Sequence, residues 1–245
     1  MEKTGFPILL KNVNFYYEED KYIFKDLNLE LPKGVVSLIG QNGTGKSTFL
    51  LLASGRLIPQ KGTVHVLGAE SSNINSEIEK NKLVSFIYQN MEFETEDLIG
   101  ELLTVIYKNG LHKEKNPQLI KTIIDVMDLN PILNKKTGEI SKGELQRTVL
   151  AFSLLYGSKI IMMEEPVFAL ENYRKEIIFA YLNEYAKQFD VSIYFSIHEL
   201  NLSEKYSKNV LLFTKDGKIL SGLTNELLKK EIIENAFQVP LDMLY

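Results

Sequence analysis

The stretch Gly40-Gln41-Asn42-Gly43-Thr44-Gly45-Lys46-Ser47 concentrates residue types that can hold an anion. Its glycines let the main chain curl until several N–H groups converge on one point. Lys46 adds a compact cation, and the Ser47 hydroxyl can enter the oxygen shell of Mg²⁺. The pattern is G-x-x-x-x-G-K-[ST], which cradles nucleotide phosphates. Lys46 is expected at the β- and γ-phosphates, with Asn42, Gly43, Thr44, Gly45 and Thr48 completing the cradle. The flanks agree. Val35-Val36-Ser37-Leu38-Ile39 reads as a buried parallel strand, and residues 46–56 have helical content. A helix there turns its N-terminus toward the same anion.

A second chemical feature is Ile160-Ile161-Met162-Met163-Glu164-Glu165-Pro166, an apolar strand ending in two carboxylates. Ligands of open parallel sheets sit at the carboxyl ends of strands. One acid there can hold Mg²⁺ through water, and the other can polarise an attacking water. His198 also follows an apolar strand, residues 193–197, at the corresponding end. Ser141-Lys142-Gly143-Glu144 fits a capping box ahead of the apolar run 148–156. The other histidines point to no chemistry: His65 reads as structural within a strand, and His112 as solvated in a polar loop. Tyr16, Tyr17 and Tyr22 fit sheet packing. Lys113-Glu114-Lys115 and Lys135-Lys136 read as solvated faces.

The elements that must position these groups alternate. Residues 8–31 are strand-like, with a charged turn at Glu18-Glu19-Asp20-Lys21. Val64-His65-Val66, Leu83-Val84-Ser85-Phe86-Ile87, residues 159–163 and residues 191–196 are further strands. Residues 98–127 are mainly helical, interrupted near Gly110 and Pro117, and residues 171–189 show helical spacing. Strands alternating with helices imply a parallel sheet with right-handed crossovers. The helix-rich stretch from about residue 70 to 138 is the exception, and is expected to form a lobe.

Composition bounds the function. The chain has 245 residues, net charge -4 and no cysteine. That leaves no disulfide framework or thiolate metal site, and nothing in the charge favours nucleic acid. No apolar run is long enough to cross a membrane, and Met1-Glu2-Lys3-Thr4-Gly5 lacks a signal-peptide core. A cytoplasmic chain is expected, linked to a membrane only through a partner.

Along nearly its whole length the chain resembles the nucleotide-binding subunit of ABC transporters, whose motifs occur here in order. Residues 40–48 (GQNGTGKST) are the phosphate loop, and Gln89 resembles the glutamine that meets the metal and the transmembrane partner. Residues 140–144 (ISKGE) resemble the signature. Glu164-Glu165-Pro166 resembles the Walker B end, Ala169-Leu170-Glu171 the D-loop, and His198 the switch histidine. Tyr17 fits the aromatic that stacks on adenine, with Tyr16 as the alternative. Glu-Leu-Gln-Arg after the signature, His198-Glu199-Leu200-Asn201-Leu202 and the tail 226–240 resemble the branch serving importers of siderophores, haem or cobalamin.

The resemblance implies an α/β fold: a P-loop NTPase core with a parallel sheet, an N-terminal antiparallel β layer, and a helical lobe. The chain would be one domain, with core residues at about 1–69 and 156–245 and the lobe at about 70–155. It implies ATP hydrolysis with Mg²⁺ in a head-to-tail dimer of two copies of this chain, docked on transmembrane permease subunits at the cytoplasmic face of the membrane. Glu165 would orient or deprotonate the attacking water. Lys46, His198 and Gln89 would hold γ-phosphate, metal and water, and Ser47, Gln89 and Glu164 would serve the metal. Ser141, Gly143 and Glu144 would complete the site from the opposite subunit. Four positions depart from the family: Gln41 for proline, Lys142 for the first signature glycine, and Glu164 and Glu171 for aspartates. A soluble ABC ATPase of the cluster-assembly kind, or a low-turnover regulatory module, are the alternatives.

Overall fold

The computed structural model describes residues 5–112 and 116–240. The strands are β1 (Ile8–Tyr16), β2 (Tyr22–Leu31), β3 (Val35–Ile39), β4 (Lys61–Val66), β5 (Ala69–Glu70), β6 (Val84–Ile87), β7 (Ile160–Met163), β8 (Ser192–Ser196), β9 (Asn209–Phe213) and β10 (Ile219–Leu223). The helices are α1 (Lys46–Ala53), α2 (Glu77–Leu83), α3 (Ile99–Asn109), α4 (Pro117–Val126), α5 (Lys142–Tyr156), α6 (Asn172–Phe189), α7 (Leu200–Tyr206), α8 (Thr224–Leu227) and α9 (Lys230–Phe237).

Two sheets result. One is antiparallel, in the order β2-β1-β4-β5. The other runs β10-β9-β3-β8-β7-β6, parallel except for β10 at its edge. Strands buried on both faces should be apolar throughout, and VVSLI in β3 and IIMM in β7 are buried at every position. Their side chains alternate between two cores. Val36, Leu38, Ile160 and Met162 face the antiparallel sheet, with α1 between the layers. Val35, Ile39, Ile161 and Met163 face the helices.

Phe49 shows what anchors the helix behind the phosphate loop. It is fully buried, edge-on to Phe24 of β2 with ring centroids 6.1 Å apart, and to Phe213 of β9 at 5.4 Å. Phe49→Ala is expected to cost about 3–5 kcal/mol, by lost burial and the cavity left behind. Denaturant unfolding checks this. A loss below about 1 kcal/mol would mean that α1 is held otherwise.

Several expectations need correction. His112 is not solvated. Its ring lies 5.0 Å from that of Phe189 and 5.8 Å from that of Tyr107, with Nε2 2.9 Å from the Leu154 carbonyl oxygen. The chain after Gly110 is drawn back against α5, with Leu111 N donating to Tyr156 O. The helix expected over 46–56 ends at Ala53, where Ser54 caps it and Gly55 takes φ 72°. Strand β6 falls within the stretch 70–138 but pairs with β7 in the core sheet. His65 lies within a strand as expected, in β4, and its Nδ1 is buried without a hydrogen-bond partner. Lys136 pairs with Glu96 on an exposed face, as expected of a solvated charge. Lys113-Glu114-Lys115 lies outside the described residues, as do the first four residues.

Candidate functional site

The phosphate loop joins β3 to α1. Gly45, its last residue before the helix, has φ 91°, and a Cβ there would stand 3.0 Å from Ile23 and 3.1 Å from Phe24. Glycine is therefore required on both conformational and steric grounds. Lys46 is buried, and its Nζ donates to the carbonyls of Gly40 at 2.6 Å and Gln41 at 2.9 Å. Burial pushes the Lys46 ammonium below the ordinary lysine range, and the charge of Glu165 opposes that shift. Thr44 ties the loop by donating from its hydroxyl to Gln41 O at 2.8 Å.

A cavity of about 250 Å³ opens at this loop. Asn42, Gly43, Gly45, Lys46, Ser47, Thr48, Gln89, Glu164 and Glu165 line it. The structure thus brings together residues from the loop, the end of β7 and the segment after β6. Gln89 Nε2 donates to Glu165 Oε2 at 2.9 Å, and His198 Nε2 lies 2.8 Å from Glu165 Oε1. Glu165 has φ 43°, an uncommon conformation for a residue with a side chain. Its N–H donates to Ser196 Oγ at 3.1 Å, and its carbonyl accepts from Gln146 Nε2 at 2.9 Å. Backbone strain held by the surroundings is a feature of functional sites.

Glu164 continues the ladder at the end of β7, its N–H donating to Ile87 O at 2.9 Å. Its Oε2 accepts from Gln89 N at 3.3 Å, while its Oε1 is buried with no hydrogen-bond partner. Glu164, with its orphaned oxygen, Ser47 and Gln89 line one cavity and bring it a carboxylate, a hydroxyl and an amide oxygen, a hard oxygen donor set that fits Mg²⁺.

Other expected residues stand apart. Ser141 caps α5, accepting from Glu144 N at 3.2 Å while its own N–H donates to Glu144 Oε2 at 2.7 Å. Those bonds hold the Glu144 carboxyl below its usual range. Ser141, Gly143 and Glu144 do not line the loop cavity. Lys142 is paired with Glu92 at 3.2 Å. Tyr17 is exposed, with its hydroxyl 3.4 Å from Thr48 Oγ1. Tyr16 is packed edge-on to Tyr22 instead. Sequence reasoning missed Ser196 and Gln146 as supports of Glu165. Their only signal was position, at the end of a strand and two residues past the capping glutamate.

Residues 24–168 match the family described as ABC transporter. The chain belongs to the ABC transporter family. A relative in Bacillus anthracis, the petrobactin import ATP-binding protein FatE, is 28% identical over 242 residues, covering 97% of this chain and 96% of that one. Among solved structures, an ATP-binding subunit of an ABC transporter superposes with TM-score 0.79 at 20% identity, covering 97% of each chain. A dimeric ATP-binding cassette in a post-hydrolysis state with ADP and Pi gives TM-score 0.74 at 22% identity, covering 89% of this chain and 98% of that one. This chain is thus an ATP-binding and ATP-hydrolysing ABC subunit that works with permease subunits. Among the described residues no helix is long and apolar enough to cross a membrane.

Proposed function

We propose that this chain energises import of a metal chelate or similar small cargo, as two copies of itself seated on a permease at the cytoplasmic face. The similarity to the petrobactin subunit supports the cargo class. The observation that carries the catalytic reading is Glu165, held between the Gln89 amide and the His198 imidazole beside the buried ammonium of Lys46. In-line attack of water on the γ-phosphate demands positioning and charge stabilisation above all. Glu165 orients or deprotonates the water. Lys46 and the loop amides hold the β- and γ-phosphates, and His198 contacts the γ-phosphate. Mg²⁺, when bound, neutralises charge on the phosphates, with Ser47, Gln89 and Glu164 to hold it. Tyr17, exposed just past the end of β1 with its hydroxyl near Thr48 of α1, stacks on adenine. Ser141, Gly143 and Glu144, being outside this cavity, serve the partner copy's nucleotide. A core and a lobe built on α3, α4 and the start of α5 form the single domain. Recovery of the chain from membranes with a permease tests the transport reading; recovery only as a free soluble protein would count against it.

Glu164 provides a sharper test of the metal reading. Its N–H remains in the ladder to Ile87, so the longer side chain starts from a regular strand end. A carboxylate about 1.5 Å longer than aspartate would crowd the water shell of a bound Mg²⁺. Glu164→Asp is expected to lower the Mg²⁺ concentration giving half-maximal ATPase rate. If neither rate nor Mg²⁺ requirement changes, Glu164 does not serve the metal.

A further inference from the structure

Among the described residues, the charged residues buried as a whole are Lys46, Glu164 and Lys175. The first two belong to the nucleotide cavity. Lys175 does not line it, yet burying a lysine is unfavourable unless it is paired. Its partner is Glu199, whose Oε1 lies 2.6 Å from Lys175 Nζ. Glu199 directly follows His198 and caps α7. Lys175 sits in the first turn of α6, where its N–H donates to Glu171 O at 3.1 Å.

The ion pair therefore closes a ring of contacts. One segment runs from Glu165 through residues 166–171 into α6, and the other from Ser196 to Glu199. They are tied by Glu165 N to Ser196 Oγ at 3.1 Å and by His198 Nε2 to Glu165 Oε1 at 2.8 Å. Lys175–Glu199 is a further tie, made away from the reacting groups. The His198 side chain is 44% exposed, so packing alone holds it loosely. We propose that Lys175 is a positioning residue for ATP hydrolysis, fixing the His198-Glu199 turn through Glu199 so that the imidazole stays aligned with Glu165 and the γ-phosphate. The inference rests on the reading of His198 given above. A group held within a fraction of an ångström of its productive place retains rate that a mobile one loses.

The test compares Lys175→Met, Glu199→Gln, both together, Lys175→Arg and His198→Ala in steady-state ATPase assays. Nucleotide affinity is measured in parallel. Lys175→Met and Glu199→Gln are each expected to lower kcat about tenfold, a loss of alignment. KM and nucleotide affinity should stay within about twofold, because ground-state binding is untouched. The double variant should lose no more than either single one, since both remove the same tie. It carries no unpaired buried charge, so it remains informative if a single variant folds poorly. Lys175→Arg should recover most of the rate. A normal kcat in the double variant, additive losses, or a matching rise in KM would overturn the proposal. If His198→Ala itself leaves kcat intact, the underlying reading of His198 falls as well; if it lowers kcat while the Lys175 variants do not, this inference alone falls.

Discussion

Lys46→Ala is expected to bring ATP hydrolysis below detection and to weaken nucleotide binding. The side chain is buried, lines the cavity, and donates from its ammonium to the Gly40 and Gln41 carbonyls. Burial already lowers its pKa, which means the fold gives up solvation to place a cation there. Alanine removes that charge from the β- and γ-phosphates, where transition-state charge must be stabilised. Loss of one preorganised group of this kind costs about 10²–10³ in rate, and here the group is a full cation. Lys46→Arg is expected to fail too, because a planar fork does not fit a cradle built round a compact ammonium. Phosphate release and calorimetric nucleotide binding measure both effects. Melting without nucleotide separates them from any loss of fold. Unchanged turnover in a folded Lys46→Ala protein would refute the phosphate-loop assignment.

The parts legible in the sequence are those whose physics is local. The phosphate loop declares itself through glycines, a lysine and a hydroxyl within eight residues. The capping box at Ser141 is equally local and forms as expected. Buried strands such as β3 and β7 show as unbroken apolar runs, and Glu164-Glu165 stands out because two acids end one of them. The contacts that tune the site are not local. Gln146 reaches Glu165 across 19 residues of sequence, Ser196 across 31, and Lys175 meets Glu199 across 24. No periodicity encodes those meetings; they follow from which strands lie side by side. His112 was misread for the same reason. Its sequence neighbours are polar, but its spatial neighbours Tyr107, Tyr185 and Phe189 arrive from α3 and α6. Strand β6 sits in a helix-rich stretch, and only its parallel pairing with β7 assigns it to the core sheet.

Glu165→Gln should bind ATP, cleave it slowly, and accumulate as an ATP-dependent dimer. The substitution keeps the shape of the side chain but removes its charge and makes one oxygen an amide nitrogen, which cannot accept a hydrogen bond. Glu165 now accepts from Gln89 on one oxygen and faces His198 with the other, so glutamine cannot keep both contacts unchanged. With no carboxylate to orient or deprotonate water, the rate should fall by about 10²–10³. Binding should survive, because Lys46 and the loop amides are untouched and the cation no longer faces the Glu165 charge. Ser141 and Gly143 lie outside the cavity of their own chain, and in the proposed function a second copy brings them to the nucleotide. ATP then contacts both copies, and whatever binds the dimer alone stabilises it by mass action. Wild-type protein should hydrolyse its ATP and separate, whereas the variant should hold it. Light scattering with ATP and Mg²⁺ should show dimer for Glu165→Gln and mainly monomer for the wild type, with monomer for both when ATP is omitted. A variant that binds ATP tightly yet stays monomeric at high concentration would refute the pairing of two copies of this chain. Rapid hydrolysis by the variant would refute the role given to Glu165.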